Sequence, residues 1–220
     1  MSDHRVRMAG DAAVTLEFPP RIDPGVNDRV VAAAAAVRAG GCAGVRDVVA
    51  SYSSVTVYFD PVRTDLQRVW DVLEGAAVAP PRHAESSTEV VVPVRYGGAA
   101  GPDLDAVAAF AGCSAGEVIR LHTARRYRVY MIGFLPGFPY LGVVDPRIAM
   151  PRRSTPRLRV PARSVGIAGL QTGIYPTLAP GGWRLIGLAL VDPFDPAREP
   201  PCRFRPGDTV RFEASEEPVR

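Results

Sequence analysis

Lysine is absent from this chain, and all 26 of its basic residues are arginine. No phosphate loop of the form GxxxxGK[ST] can therefore exist, because both the lysine and the adjoining magnesium-binding hydroxyl position are missing. The glycine-rich stretch YGGAAGPDLDAV, residues 96–107, has only a superficial likeness to one. Cysteine is scarce and scattered. Cys42, Cys113 and Cys202 form no CxxC pair, and His4, His83 and His122 form no HExxH, which argues against a zinc site and leaves the thiols structural or incidental. No apolar run approaches the roughly 20 residues that span a bilayer. The longest candidate, Val30–Val37, is an alanine-rich helix interior between Arg29 and Arg38. The opening MSDHRVRMAGD has charge with no apolar segment after it, unlike a secretory signal, so the cytoplasm is the expected compartment. There is also no GxSxG nucleophile elbow and no paired-carboxylate motif.

What is present suits a globular protein. At 220 residues, 47% hydrophobic and 22% charged, the chain can build one large or two small domains. Charge is unevenly spread. From Arg126 to Val191 there are nine arginines and one acid, Asp145, whereas the remaining 17 arginines face 22 acids. One region is electropositive and the other mildly acidic. No DNA- or RNA-reading motif accompanies the arginines, so nucleic acid is not expected as a partner.

The pattern predicts strands at Val6–Met8 and Ala12–Phe18, then a helix from an Asp23 N-cap with Pro24 in its first turn to about Ala39. Strands at Val45–Ala50 and Ser54–Phe59 follow, with Val55, Val57 and Phe59 on one face. A second helix runs from Asp65 to Glu74, with Leu66, Val69, Trp70 and Leu73 at helical spacing, so Trp70 reads as core. A strand at Glu89–Val94 returning beside the first would complete the split βαβ order of a ferredoxin-like layer. Residues 1–80 are thus expected as one α+β domain, 81–88 as a polar linker holding a solvated His83, and 89–220 as a second domain. In that second domain Gly97–Gly101 reads as a turn and Asp103 as the cap of a helix over Leu104–Ala111. Ser114 and Glu117 read as a capping box opening a helix that ends at His122. A histidine there suits a capping or packing role. It also lies one short strand from the next segment, which leaves contact with a ligand open.

That segment, from Gly133 to Gly187, is the richest in chemistry. Phe134, Phe138 and Tyr140 alternate with Pro136 and Pro139, which pin the backbone and can present ring faces in fixed directions. Arg152, Arg153 and Arg157 carry planar forks suited to carboxylate or phosphate oxygens. Gln171, Thr172 and Tyr175 add neutral hydrogen-bonding groups, and Gly181 and Gly182, before Trp183, permit close approach. Together these residues are expected to bind a small anionic or amide ligand, or an acidic partner surface.

The motifs YGGAAGPDL, LH at Leu121–His122, GFLPGFPYLG, PRRSTPR, SVGIAGLQTGIYP, PGGWRLIG and FRPGDTVRF resemble, in order and spacing, one family. It is named variously as the subunit designated B of the bacterial ATP-dependent 5-oxoprolinase, allophanate hydrolase subunit 1 and KipI, and it is similar to the matching subdomains of the urea carboxylase carboxyltransferase. The resemblance implies an N-terminal ferredoxin-like domain and a C-terminal cyclophilin-like β-barrel. It implies half of an enzyme completed by a larger subunit (the 5-oxoprolinase subunit designated C, allophanate hydrolase subunit 2 or KipA-like), which uses ATP and Mg²⁺ to activate a cyclic amide. A third protein completes ring opening. On that expectation His122, Arg152 and Arg153 are catalytic, and Phe134, Pro136, Phe138, Tyr140, Arg157, Gln171, Thr172, Tyr175, Gly181, Gly182 and Trp183 bind substrate. Two other activities stay open: a KipI-like module that inhibits a sensor histidine kinase, and carboxyl transfer to urea or a related amide, which would need biotin on another protein. The chain departs from the family at Arg163, where a glycine is usual, and at Leu188–Val191, where the family carries an arginine.

Overall fold

The computed structural model describes residues 3–80 and 88–216. The chain divides into two compact units, residues 1–87 and 88–220. The expected linker, except Thr88, and with it His83, lies outside the described residues.

In the first unit, strands β1 (Arg5–Met8) and β2 (Ala13–Glu17) precede helix α1 (Pro24–Ala39). Strands β3 (Val45–Ala50) and β4 (Ser54–Phe59) then precede helix α2 (Leu66–Ala77). The strands form one antiparallel sheet in the order β1-β2-β4-β3. Short polar side chains set both helix starts. Asp23 accepts from the Val26 N–H at 2.9 Å and Asp65 from the Arg68 N–H at 2.7 Å, each satisfying a donor that the first turn leaves free. Val30, Ala33, Val37, Val69 and Leu73 pack on Val14, Leu16, Val55 and Val57, and Trp70 packs half-buried against this core. The strand expected to complete this layer is not here. Glu89–Tyr96 pairs elsewhere, and the outer position beside β2 is filled by β1, which gives the order ββαββα in place of βαββαβ.

The second unit is a closed seven-stranded barrel, β10-β7-β6-β13-β5-β12-β9. Its strands are β5 (Glu89–Tyr96), β6 (Arg126–Ile132), β7 (Pro139–Gly142), β9 (Ser164–Ala168), β10 (Gln171–Ile174), β12 (Arg184–Ala189) and β13 (Thr209–Ala214). A ring with an odd number of strands cannot alternate direction all the way round. The one parallel pair is β5 with β13, from Glu89–Thr209 to Val94–Ala214. Strands β8 (Arg157–Val160) and β11 (Ala179–Gly181) form a separate two-stranded ribbon. Helices α3 (Leu104–Ala111) and α4 (Ala115–Thr123) sit between β5 and β6 in sequence. Strand β9 is buried throughout. Val165 and Ile167 enter the main core, while Ala168 joins a second core with Phe138, Tyr175 and Trp183. Strand β9 is thus packed on both faces, which is why it reads as a continuous small and apolar run. No helix among the described residues is long and apolar enough to cross a membrane.

Candidate functional site: an aromatic wall, an aspartate hub and an arginine-lined cavity

Of the three rings in GFLPGFPYLG, Phe138 is buried, Tyr140 half-buried and Phe134 exposed. Phe138 meets Tyr140, Tyr175 and Trp183 edge-on at centroid distances of 4.9, 5.2 and 5.4 Å. Such perpendicular pairs set the positive edge of one ring against the negative face of another. Phe138, Tyr175 and Trp183 are buried, so they support the surface and do not form it, contrary to the binding role expected of them. Gly181 likewise makes room for the protein's own Tyr175. A Cβ there would lie 2.2 Å from the phenol oxygen. Gly181→Ala is expected to displace the ring and cost about 1–3 kcal/mol, read as a lower melting temperature with an altered near-UV spectrum. The accessible part of the segment is smaller: Phe134, Pro136 and Arg152 are exposed, while Tyr140, Gln171 and Gly182 are half-buried. Phe134 is 58% exposed, adopts φ +66°, and stands edge-on to Phe138 at 5.7 Å. The Arg152 guanidinium lies 5.9 Å from the centre of the Trp183 ring, a cation–π distance. Burial raises the pKa of Tyr140, opposed by the Arg152 charge, so its phenol is neutral at pH 7.

The other two expected arginines are already engaged. Arg157 binds Asp103 through a fork, Nη1 to Oδ2 at 2.7 Å and Nη2 to Oδ1 at 2.9 Å. Arg153 Nη1 reaches Oδ1 at 3.3 Å, and the Leu185 N–H donates to Oδ2 at 2.8 Å. Asp103 does not cap α3, since its side chain makes no bond to that helix's first turn. It is a buried hub joining α3, β8 and β12, only 4% exposed. Burial pushes its pKa up, but hydrogen bonds from Arg157 and the Leu185 amide, with the charges of Arg157 and Arg153, outweigh that and hold the carboxyl below its usual range. Arg153 and Arg157 are therefore both engaged on Asp103, one carboxylate shared between two guanidiniums. Further along the electropositive region, Arg147 pairs with Asp145 and Glu117, so the arginine surplus does not converge on one point. In the capping box, Ser114 accepts from the Glu117 N–H at 3.2 Å, but the Glu117 carboxylate binds Arg120.

His122 is correspondingly internal. It is fully buried and stacks on Phe212 of β13 at 4.5 Å. Nδ1 lies 2.7 Å from the Tyr96 hydroxyl and Nε2 lies 3.0 Å from Thr172 Oγ1. Thr172 donates its own proton to the Gly166 carbonyl at 3.0 Å, so its oxygen accepts from Nε2–H, leaving Nδ1 to accept from Tyr96. A directed chain runs Tyr96, His122, Thr172, Gly166. Burial lowers the His122 pKa to about 3, so the ring is neutral at pH 7. The expected general acid–base role gives way to a positioning one, and Thr172, also fully buried, belongs to the same chain and not to a ligand surface.

A cavity of about 530 Å³ is lined by Arg95, Tyr96, the turn 97–100, Pro102, Arg157, Arg159, Pro161, Ser164, Leu185 and Leu188. The turn that reads as an imitation of a phosphate loop forms one wall. It is pinned by the Gly97 N–H to the Ile186 carbonyl at 3.1 Å. At Gly101 a Cβ would fall 2.0 Å from that same carbonyl oxygen, so only glycine lets the turn lie this close to β12. The signal available in the sequence is the arginine on either side of Leu158 together with Arg95 just before the glycines. Among the described residues no group of three or more His, Cys, Asp and Glu is placed to hold a metal ion.

Comparison with known proteins places these features. Residues 4–204 match the family described as carboxyltransferase domain, subdomain C and D. The chain is 41% identical over 226 residues to the 5-oxoprolinase subunit designated B of Escherichia coli O157:H7, covering 100% of both chains. It is also 41% identical over 220 residues to the protein of the same name from Bacillus subtilis (strain 168), covering 95% of this chain and 92% of that one. Its structure resembles that of TTHA0988 with a TM-score of 0.86 at 41% identity, over 98% of this chain. The match takes in only 41% of TTHA0988, so this chain spans about two fifths of that longer one.

Proposed function

Because the chain belongs to the family of carboxyltransferase subdomains C and D, we propose that it is the non-autonomous subunit of an ATP-dependent 5-oxoprolinase. It completes an active site with a larger subunit that activates the cyclic amide, and a third protein finishes the ring opening. On this reading the first unit is a ferredoxin-like layer whose outer strand comes from the N-terminal side, the barrel is cyclophilin-like, and the complex works in the cytoplasm. Identity to two proteins named as a 5-oxoprolinase subunit, over at least 92% of each, supports the assignment. The geometric observation that carries it is Arg152. It is an exposed guanidinium over the buried Trp183 ring, with its charge acting on a neutral Tyr140 phenol.

Developing negative charge on an amide oxygen or a transferring phosphoryl group is stabilised by a fixed cation in a site that a partner closes to water. Arg152 supplies that cation, 5.9 Å from the centre of the buried Trp183 ring. The described residues do not fit a magnesium site. Asp103, the carboxylate next to the arginines, is saturated by Arg153, Arg157 and the Leu185 amide. Nucleotide and metal are accordingly assigned to the partner.

The test is 5-oxoproline-dependent ATP hydrolysis by the three co-purified proteins. Arg152→Ala is expected to lower kcat about tenfold or more while leaving complex assembly and melting temperature unchanged. Undiminished turnover in that variant, or full turnover by this chain alone, would overturn the assignment. Exposed Phe134 in a left-handed backbone also suits a KipI-like docking role on a histidine kinase. Phe134→Ala separates the two readings, since kinase capture would fall while turnover persisted.

A further inference from the structure

We infer that the cavity between the 97–102 turn, β8 and β12 is a binding site for a small carboxylate with an apolar body, held by Arg95 and Arg159. Four observations carry this. Neither guanidinium has an acceptor among the described residues, in contrast to Arg153 and Arg157 on Asp103. Both come from regular strands, Arg95 from β5 and Arg159 from β8, so the two are presented from rigid backbone. No aspartate or glutamate lines the cavity, so two cations there are uncompensated by the protein. Ser164 is 2% exposed, lines the same cavity, and its hydroxyl has no hydrogen-bond partner among the described residues. A hydroxyl left open to the cavity can bond to a ligand or to water.

The remaining lining selects the ligand. Tyr96, Pro102, Pro161, Leu185 and Leu188 make most of the wall apolar, which suits a ring or short hydrocarbon body. Two planar forks with one hydroxyl match a carboxylate's two oxygens and leave one donor for a neutral polar atom on the body. A metal-bound polyphosphate would need carboxylates for its cation, and the cavity offers none. Tyr96 also joins this site to the interior, because its ring lines the cavity while its hydroxyl is fixed by His122. The buried chain from Gly166 to Tyr96 therefore positions one wall of the cavity.

This inference draws on the proposed function only for its choice of probe, 5-oxoproline, a cyclic amide bearing a carboxylate. Calorimetric titration of the full chain with 5-oxoproline is compared with 2-pyrrolidinone, the same ring without the carboxylate, and with inorganic phosphate. Saturable binding of 5-oxoproline is expected, with 2-pyrrolidinone at least about tenfold weaker. Arg95→Gln and Arg159→Gln should each weaken 5-oxoproline about tenfold at unchanged melting temperature, and Ser164→Ala should weaken it less. No binding of 5-oxoproline, equal binding of the ring without its carboxylate, preference for phosphate, or indifference to both arginines would each overturn the proposal. The outcome is separable from that of the function. Binding without turnover in the assembled complex would retain the site and remove the enzyme reading. Full turnover in the double arginine variant would do the reverse.

Discussion

Asp103→Ala is expected to destabilise the barrel unit by about 3–5 kcal/mol, the cost of stripping one partner from a buried ion pair. The carboxylate is 4% exposed and holds two guanidiniums and one backbone amide. Removing it leaves the partly buried Arg157 and the Leu185 N–H without an acceptor, and places the charges of Arg153 and Arg157 side by side with nothing between them. Asp103 also connects residues 50 and 82 positions further along the chain, so its loss unties α3 from both β8 and β12. For a unit of this size the melting temperature should fall by roughly 10 °C. A double-mutant cycle with Arg157→Leu distinguishes a hub from a surface pair. If the pair is a hub, Asp103→Ala should cost markedly less in the Arg157→Leu background. Additive single effects, or a loss below about 1 kcal/mol as for an exposed pair, would show that the carboxylate does not hold these elements together.

Asp103 also shows where reading the chain in order stops working. Asp23, Asp65 and Ser114 cap their helices as local sequence dictates, because an N-cap needs only a donor three residues away. Asp103 has the same local setting, immediately before α3, yet competing donors from residues 153, 157 and 185 take its oxygens. No window of a dozen residues contains that competition. Strand β5 teaches the same lesson. Its alternation marks it as a strand, but its partner is β13, about 120 residues away, and not the first unit's sheet. In the aromatic segment, proline and aromatic spacing correctly announce fixed rings, while which face of each ring meets water depends on β9 and β12 closing beneath them. Arg95 and Arg159 are not legible as a pair because they lie far apart in sequence, one on a barrel strand and the other on the separate β8–β11 ribbon, and line one cavity only in the folded chain.

His122 makes the second large prediction, a steep acid dependence of stability. In the folded chain its pKa is near 3, and in the unfolded chain it returns to about 6.5. Between those values only the unfolded state binds the proton, so stability is full above pH 6.5 and declines as pH falls. The decline is about 1.4 kcal/mol per pH unit. The groups around the ring do not share this titration. Burial raises both Tyr96 and Tyr127 above their ordinary range, so each stays neutral throughout. Asp103 and Asp145 are held low by their arginines, Asp145 at about 2. Their contributions are present above the unfolded carboxylate range and are lost only as pH falls below it, so a window from about pH 6.5 to 4.5 isolates the histidine. Urea unfolding across that window should show the wild type losing about one proton's worth of slope more than His122→Gln. That variant should be less stable at pH 7, because it breaks the chain from Tyr96 to Gly166, yet flatter with pH. Equal slopes would mean that the ring titrates in the folded protein, and a proton-exchanging role for His122 would then have to be restored.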